Sequence, residues 1–306
     1  MQYVVPDYYK EFKCIAGDCR HSCCIGWEID IDEKSLGFFQ SVTGEFGDRL
    51  RNNISCEGEP HFILGENERC PFLNDKNLCD IILTLGEEHI CGICTDHPRF
   101  SNELPGRVET GLGLCCEEAG RIILGKKEPV KLIVTGEKEA DDEIISLRDE
   151  LIELMHLRDL TIDERINAML EKCGTPFPEY DLTQWADLLL DLERMDEKWT
   201  RCLQLLKGEI DFDGFAQHMA QRQTEYEQFV VYLLYRHFAN ASDEWDAAAR
   251  VGFAAFGYLI LSSMGAALWT KTGEFHFEDQ VELARLFSAE IEYSDDNRFC
   301  ILDMFC

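Results

Sequence analysis

The sequence predicts a mainly α-helical fold, a helical domain packed on a small, irregular, cysteine-rich metal-binding domain with short strands. Two observations set this expectation. Eleven of the fifteen cysteines lie at or before Cys116, so sulfur is concentrated in one segment. From about Asp142 onward, apolar residues recur at helical spacing through most of the remaining chain. At roughly 100–200 residues per domain, a chain of 306 residues accommodates two. The expected division is 1–125 for the cysteine-rich domain, 126–143 for a connection and 144–306 for the helical domain.

Composition narrows the function classes. Hydrophobic residues make up 45% and charged residues 29%, which fits a folded globular chain and not a disordered one. The 59 acidic residues against 29 basic ones give a formal charge of −30. Such a surface repels the nucleic-acid backbone and the anionic membrane leaflet, and attracts a polypeptide that presents lysines. The first eleven residues hold no basic stretch followed by an apolar run, so no secretory signal is read and the expected location is cytoplasmic. Thiols stay reduced there, and closely spaced cysteines are then metal ligands in preference to a disulfide framework.

Along the first segment, Trp27, Ile29 and Ile31 alternate with Glu28, Asp30 and Asp32, the period of a half-buried strand. Short helices are expected over 81–88 and 117–124, and 125–143 reads as an exposed connection. Ile145, Leu147, Leu151, Leu154, Met155 and Leu157 then form one helical face. Thr161 and Glu164 have the spacing of a capping box, and Cys173-Gly174 with Pro176 and Pro178 ends the helix that starts there. Further helices are expected over 182–206, 212–240, 243–270 and 277–293. The stretch 251–270 carries no charge and is long enough to span a bilayer. Gly252, Gly257, Gly265, Ser262 and Ser263 dilute it, and its flanks lack Lys/Arg clusters, so it reads as a helix buried among helices.

The chemistry is expected at the cysteines. Their spacings are Cys14-x4-Cys19-x3-Cys23-Cys24, then Cys70 with Cys79, then Cys91-x2-Cys94, then Cys115-Cys116. A C-x2-C turn presents two sulfurs to one ion, and a four-coordinate site draws ligands from more than one segment. Sulfur-only ligation suits zinc and iron–sulfur clusters alike, and spacing does not choose between them. The ferredoxin-like run Cys91, Cys94 has His97 at its third position, and the radical-type run from Cys19 and Cys23 meets Gly26. His97 and His21 are weighed as ligands against polar or packing roles. No dinucleotide-binding glycine loop is present; Gly111 and Gly113 approach it and the third glycine fails.

Phe12-Lys13-Cys14-Ile15 through Cys19, Cys23-Cys24-Ile25-Gly26-Trp27 and Ile29-Asp30-Ile31-Asp32 closely resemble the opening of the bacterial flagellin lysine-N-methylase family. Cys70-Pro71-Phe72-Leu73-Asn74, Leu78-Cys79, Leu85-Gly86-Glu87-Glu88, Cys91-x2-Cys94, Pro98-Arg99 and Cys115 with Glu117 and Ala119 follow in the family's order. The helical half adds Tyr226-Glu227-Gln228-Phe229 and Ile291-Glu292-Tyr293-Ser294-Asp295-Asp296-Asn297. The first half also resembles small CxxxCC metal-chelating domains. His97 and Cys116 depart from the family's pattern.

The resemblance implies methyl transfer from S-adenosylmethionine to flagellin lysines, with a [4Fe–4S] cluster, or zinc as the alternative, held by ligands drawn from Cys14, Cys19, Cys23, Cys24, Cys70, Cys79, Cys91, Cys94 and Cys115. Such a transfer needs a neutral amine from a group whose ordinary pKa is about 10.4, and alignment of nitrogen, carbon and sulfur. Arg99 is the candidate grip for the donor's carboxylate and Trp27 for its adenine, each set against a salt bridge or a packing role. Tyr226, Glu227 and Asn297 are candidates for the same cavity, and Asp96 and Glu117 for orienting the ammonium. Two other readings stay open at this point: a non-catalytic zinc-binding interaction module, and an electron-transfer iron–sulfur protein.

Overall fold

The computed structural model describes residues 1–137 and 142–305. Residues 138–141, part of the expected connection, and Cys306 lie outside the described residues. The described chain forms two compact units, Lys13–Phe100 and a second built from Met1–Phe12 with the chain from Ser101 onward. The expected boundary at residue 125 falls within the second unit. Residues 101–125 fall in the second unit because strand pairing with the N-terminus and packing on the helices hold them there.

That second unit carries a small sheet whose spatial order is the strand ending at Leu104, then Arg107–Leu112, Gln2–Pro6 and Leu132–Gly136. Gln2–Pro6 runs parallel to Arg107–Leu112 and antiparallel to Leu132–Gly136, with Tyr3 opposite both Val108 and Thr135. Part of the expected connection is therefore a strand. Its run Leu132-Ile133-Val134-Thr135 has the β-branched content that a strand favours.

Helices make up the rest. The capping box at Thr161 and Glu164 forms, and the helix Ile162–Cys173 stops at Gly174, whose φ of 61° suits glycine. Gln223–His237 is buried along nearly its whole length, and Glu244–Thr272 packs against it. Phe229, Phe253, Phe256, Phe287 and Trp185 form the aromatic centre. Gly257 permits the close approach, since a Cβ there would meet Leu233 at 2.6 Å and Phe229 and Phe287 at 3.2 Å. By length and composition Glu244–Thr272 passes for a membrane span, but 78% of its most apolar window is buried inside the protein.

A buried ion pair ties sheet to helix. Arg148, fully buried on Glu143–Met155, meets Glu109 of the sheet at 2.5 Å, and Arg107 meets the other Glu109 oxygen at 2.6 Å.

Two expected helices are each broken in two. The 182–206 stretch forms Leu182–Asp191 and Glu197–Leu205, and 212–240 forms Phe212–His218 and Gln223–His237 with a short 3-10 turn, Phe238–Asn240. The last expected helix forms as Phe277–Phe287 and then widens into a π-turn, Ser288–Glu292, before a further helix, Asp295–Asp303.

The unit Lys13–Phe100 is built around Ile29, Ile31, Phe39, Leu50, Phe62, Phe72 and Ile81, with Cys70 and Cys91 among them. The alternation from Trp27 to Asp32 places Ile29 and Ile31 inside as expected, but no strand forms. Its partner segment His61–Phe62 is only two residues long, leaving one bridge, Asp30 to His61, before Asp32 caps the helix Glu33–Ser41. The expected 81–88 helix is Asp80–Leu85, ended by Gly86 at φ 106°, followed by the 3-10 turn Glu87–His89.

Candidate functional site

Five of the expected thiols come together. Cys70 and Cys91 are buried in the core of Lys13–Phe100, and Cys24, Cys79 and Cys94 pack against the same core. No disulfide joins them. The Cys23 thiol donates to the Cys24 sulfur, and against the cost of burial this bond, with Ser22 and Arg69, lowers Cys24 to about 7. Burial pushes Cys70 up to about 12, with the charges of Cys24, Cys94 and Cys79 adding to it. Burial also raises Cys79. The Cys94 thiol donates to Cys91, which together with burial raises Cys94 well above the ordinary thiol value.

Cys14 is exposed beside the 3-10 turn Ala16–Asp18, and the Cys19 thiol donates to the His21 carbonyl at 3.0 Å. Cys115 belongs to the helical unit. The cluster suits soft ligands chemically, since it gathers several sulfurs among apolar side chains. Its geometry does not fit a bound metal: among the described residues no three His, Cys, Asp or Glu side chains are grouped to hold one ion.

Next to Cys23 stands Trp27, one of the two residues expected to bind the methyl donor. The Trp27 indole N–H donates to the Cys23 carbonyl, and its ring lies 5.9 Å from that of His97. Burial, then the charge of Arg99, lowers His97 to about 4, so its ring is neutral at pH 7. Arg99 is exposed and donates to the Thr95 carbonyl at 3.2 Å. Trp27, His97 and Arg99 are thus neighbours. Asp96 is exposed at the end of the helix Gly92–Asp96.

The helical unit holds a cleft of about 300 Å³ lined by four carboxylates, Glu193, Glu290, Asp295 and Asp296, together with Met195, Tyr293, Ser294 and Asn297. No lysine or arginine is among its lining residues. The π-turn Ser288–Glu292 supplies one wall, and such turns recur at functional sites. Glu290 is buried, and its carboxylate accepts from the Met195 and Asp196 amides at 3.0 and 2.6 Å. Burial raises the Glu290 carboxyl, and those two amides oppose the rise. Asn297 is buried and donates to the carbonyls of Glu193 and Glu290 at 2.9 and 2.7 Å, fastening the walls together.

Behind this cleft lies a polar network. The Tyr293 hydroxyl donates to Cys115, and the Arg236 guanidinium sits 4.7 Å from the Tyr293 ring centroid. Arg236 donates to the Tyr232 hydroxyl at 2.6 Å, which in turn donates to Glu292 at 3.0 Å, and His237 meets the same carboxylate at 2.6 Å. Burial alone would raise Glu292, but Arg236 and the hydrogen bond from His237 hold it at about 2.

Of the helical candidates, only Asn297 lines the cleft. Glu227 is fully buried and committed to Arg158 and Arg165 at 2.7 and 2.9 Å. Glu117 is fully buried and bonded to Arg121 at 3.0 Å, not set to meet a substrate. Tyr226 is buried against Tyr258 with its hydroxyl unbonded among the described residues. The reading of the sequence missed Glu290, Glu292, His237 and Tyr232 as site builders. The signal was weak: Glu290 is one acid among 59, beside a run noted only as a resemblance, and Glu292 lies within that run.

Fold and site define a helical protein with a cleft lined by acidic residues and a thiol-rich unit. Residues 179–305 match the FliB lysine N-methylase C-terminal domain. Over that segment the chain is similar to lysine N-methylases. It is 27% identical over 137 residues to a lysine-N-methylase of Salmonella typhimurium and, to the same extent, to one of Salmonella choleraesuis, covering 42% of this chain. The match spans about a third (33%) of the length of those two relatives. It is 26% identical over 142 residues to the flagellar biosynthetic protein FliU of Salmonella muenchen, covering 44% of this chain and 82% of that protein. No solved structure matches it.

Proposed function

We propose that the protein is a lysine N-methyltransferase that moves a methyl group from S-adenosylmethionine to lysine side chains of flagellin. One observation carries the reading: the segment that matches a lysine N-methylase domain, 179–305, is the segment whose residues line the acidic cleft.

The cleft is assigned to the lysine. Its carboxylates attract an ammonium, and the exposed side chains of Met195 and Tyr293 offer apolar surface to the methylene stem. Asp296 draws the cation in, beside Asp295, which is itself paired with Arg298 at 2.7 Å. Glu290, whose carboxyl burial has raised, accepts the proton and leaves the amine its lone pair. S-adenosylmethionine supplies, when bound, an electrophilic methyl group on a sulfonium sulfur.

The donor also carries a carboxylate, which the cleft's lining offers no base to meet. Arg99 and Trp27 remain the residues proposed for that carboxylate and the adenine. Iron–sulfur or zinc ligation by the thiol cluster has the support of donor chemistry alone, so no step is routed through it.

The test is incubation of the full chain with a matching flagellin and methyl-labelled S-adenosylmethionine, followed by mass spectrometry of flagellin peptides. The expected result is label on lysine. Label on neither lysine nor any other residue, with the donor unconsumed, would overturn the assignment.

A further inference from the structure

We infer that the outer edge of the sheet strand Leu132–Gly136 is a dimer interface, on which a second copy of this chain pairs antiparallel about a two-fold axis at Val134. The inference stands apart from the methyl-transfer reading.

The strand is an open edge. Among the described residues it pairs with Gln2–Pro6 on one side only. The carbonyls of Lys131 and Glu137 accept from the Asp7 amide and the Met1 amino group at 2.8 and 3.5 Å, so the odd-numbered residues turn their backbone groups inward. Leu132, Val134 and Gly136 therefore turn theirs outward. Such a row of amides and carbonyls is a template for another strand, and the side chains do not blunt it. Between Leu132 and Gly136 there is no charge and no proline, and Ile133 and Val134 are 46% and 47% exposed. The opposite edge of the sheet shows Ser101 and Glu103 to solvent instead.

Charge picks out the occupant. The strand is bracketed by Lys131 at one end and Glu137 at the other, both exposed. Laying a second copy antiparallel, with Val134 opposite Val134, sets Lys131 of each chain against Glu137 of the other. The same register pairs Leu132 with Gly136 and Val134 with its own copy, so the outward backbone groups exchange hydrogen bonds. It also sets Ile133 against Thr135, a β-branched pair. Any other antiparallel register loses both of these ion pairs. The formal charge of −30 opposes self-association in general, but the segment 126–137 holds three lysines against two glutamates, so the repulsion is least favoured to act here.

The experiment sediments the full chain across the micromolar range in about 0.15 M salt, where charges farther apart than about 8 Å are screened. The expected result is a shift from one chain to two as concentration rises. Lys131→Glu and Glu137→Lys should each weaken self-association about tenfold, because like charges then stand opposite one another. An equimolar mixture of the two variants should dimerise, since each supplies the charge that the other lacks. Val134→Pro removes the amide at the axis, leaves the inner ladder alone and should abolish the dimer while keeping the wild-type circular dichroism. In the wild type itself, the amides of Leu132, Val134 and Gly136 should exchange hydrogen more slowly as concentration rises. A single-chain species at every concentration, or a dimer that both charge variants leave intact, would overturn the proposal. So would protection of those amides only on adding flagellin, which would make the occupant a substrate peptide.

Discussion

Arg236 places its guanidinium carbon 4.7 Å from the Tyr293 ring centroid, while the hydroxyl of that tyrosine donates to Cys115. The wall of the acidic cleft is thereby fixed from behind. Arg236 also reaches the buried Glu292 through Tyr232, so cleft and core share one electrostatic network.

That network makes stability depend on acid. Burial lowers His237 to about 4, with its bond to Glu292 opposing, and Glu292 itself is held at about 2. Both folded values lie below the ordinary ones, about 6.5 for histidine and 4.3 for glutamate. Their contributions are therefore full above those ordinary values and are lost as pH falls, the His237 part between about 6.5 and 4, the Glu292 part between about 4.3 and 2. Urea midpoints at pH 7.5, 5.5 and 4 should fall steadily in the wild type. His237→Gln should flatten the upper part of that fall, and an equally steep fall in the variant would refute the assignment.

The Glu109–Arg148 pair is fully buried, so removing Glu109 leaves the buried Arg148 charge answered only by the half-exposed Asp149 at 2.7 Å. Glu109→Gln should cost about 3–5 kcal/mol in urea unfolding. Adding Arg148→Met should recover much of the loss. A single variant as stable as wild type would show the pair to be unnecessary.

Gly257 meets the facing helix too closely for a methyl group. Gly257→Ala should lower stability by about 1–3 kcal/mol through overpacking, despite the better helix propensity of alanine. A higher thermal midpoint would contradict the close approach.

Much of this frame was legible in the sequence and part was not, and particular residues show why. Thr161 and Glu164 act on their own backbone, so a local pattern sufficed. The break between Asp191 and Glu197 is invisible locally. There the amides of Met195 and Asp196 bond to Glu290, about ninety-five residues away, instead of continuing a helix. The same distant carboxylate that breaks the helix helps line the cleft, so one unseen tertiary contact hid both the element boundary and the site. Likewise Arg222, at the break after Phe212–His218, turns to Glu225 and the Phe275 carbonyl. The cysteine spacings pointed to thiols that gather around one core, but spacing alone could not say how closely their sulfurs converge.

Charge in the cleft should separate attraction from proton removal. Asp295→Asn with Asp296→Asn should raise KM for the lysine substrate several-fold with kcat nearly unchanged. Glu290→Gln should lower kcat by about 10²–10⁴-fold, the range lost with a general base. Equal effects of both variants on KM alone would remove the proton-acceptor role from Glu290.

The most direct test combines those changes. Wild type and the variant Glu290→Gln, Asp295→Asn, Asp296→Asn, matched for urea midpoint, are each given flagellin and methyl-labelled S-adenosylmethionine, and label on lysine is counted. The account predicts label with the wild type and at least a hundredfold less with the variant. Undiminished labelling by a folded variant would contradict the assignment of this cleft to the substrate amine.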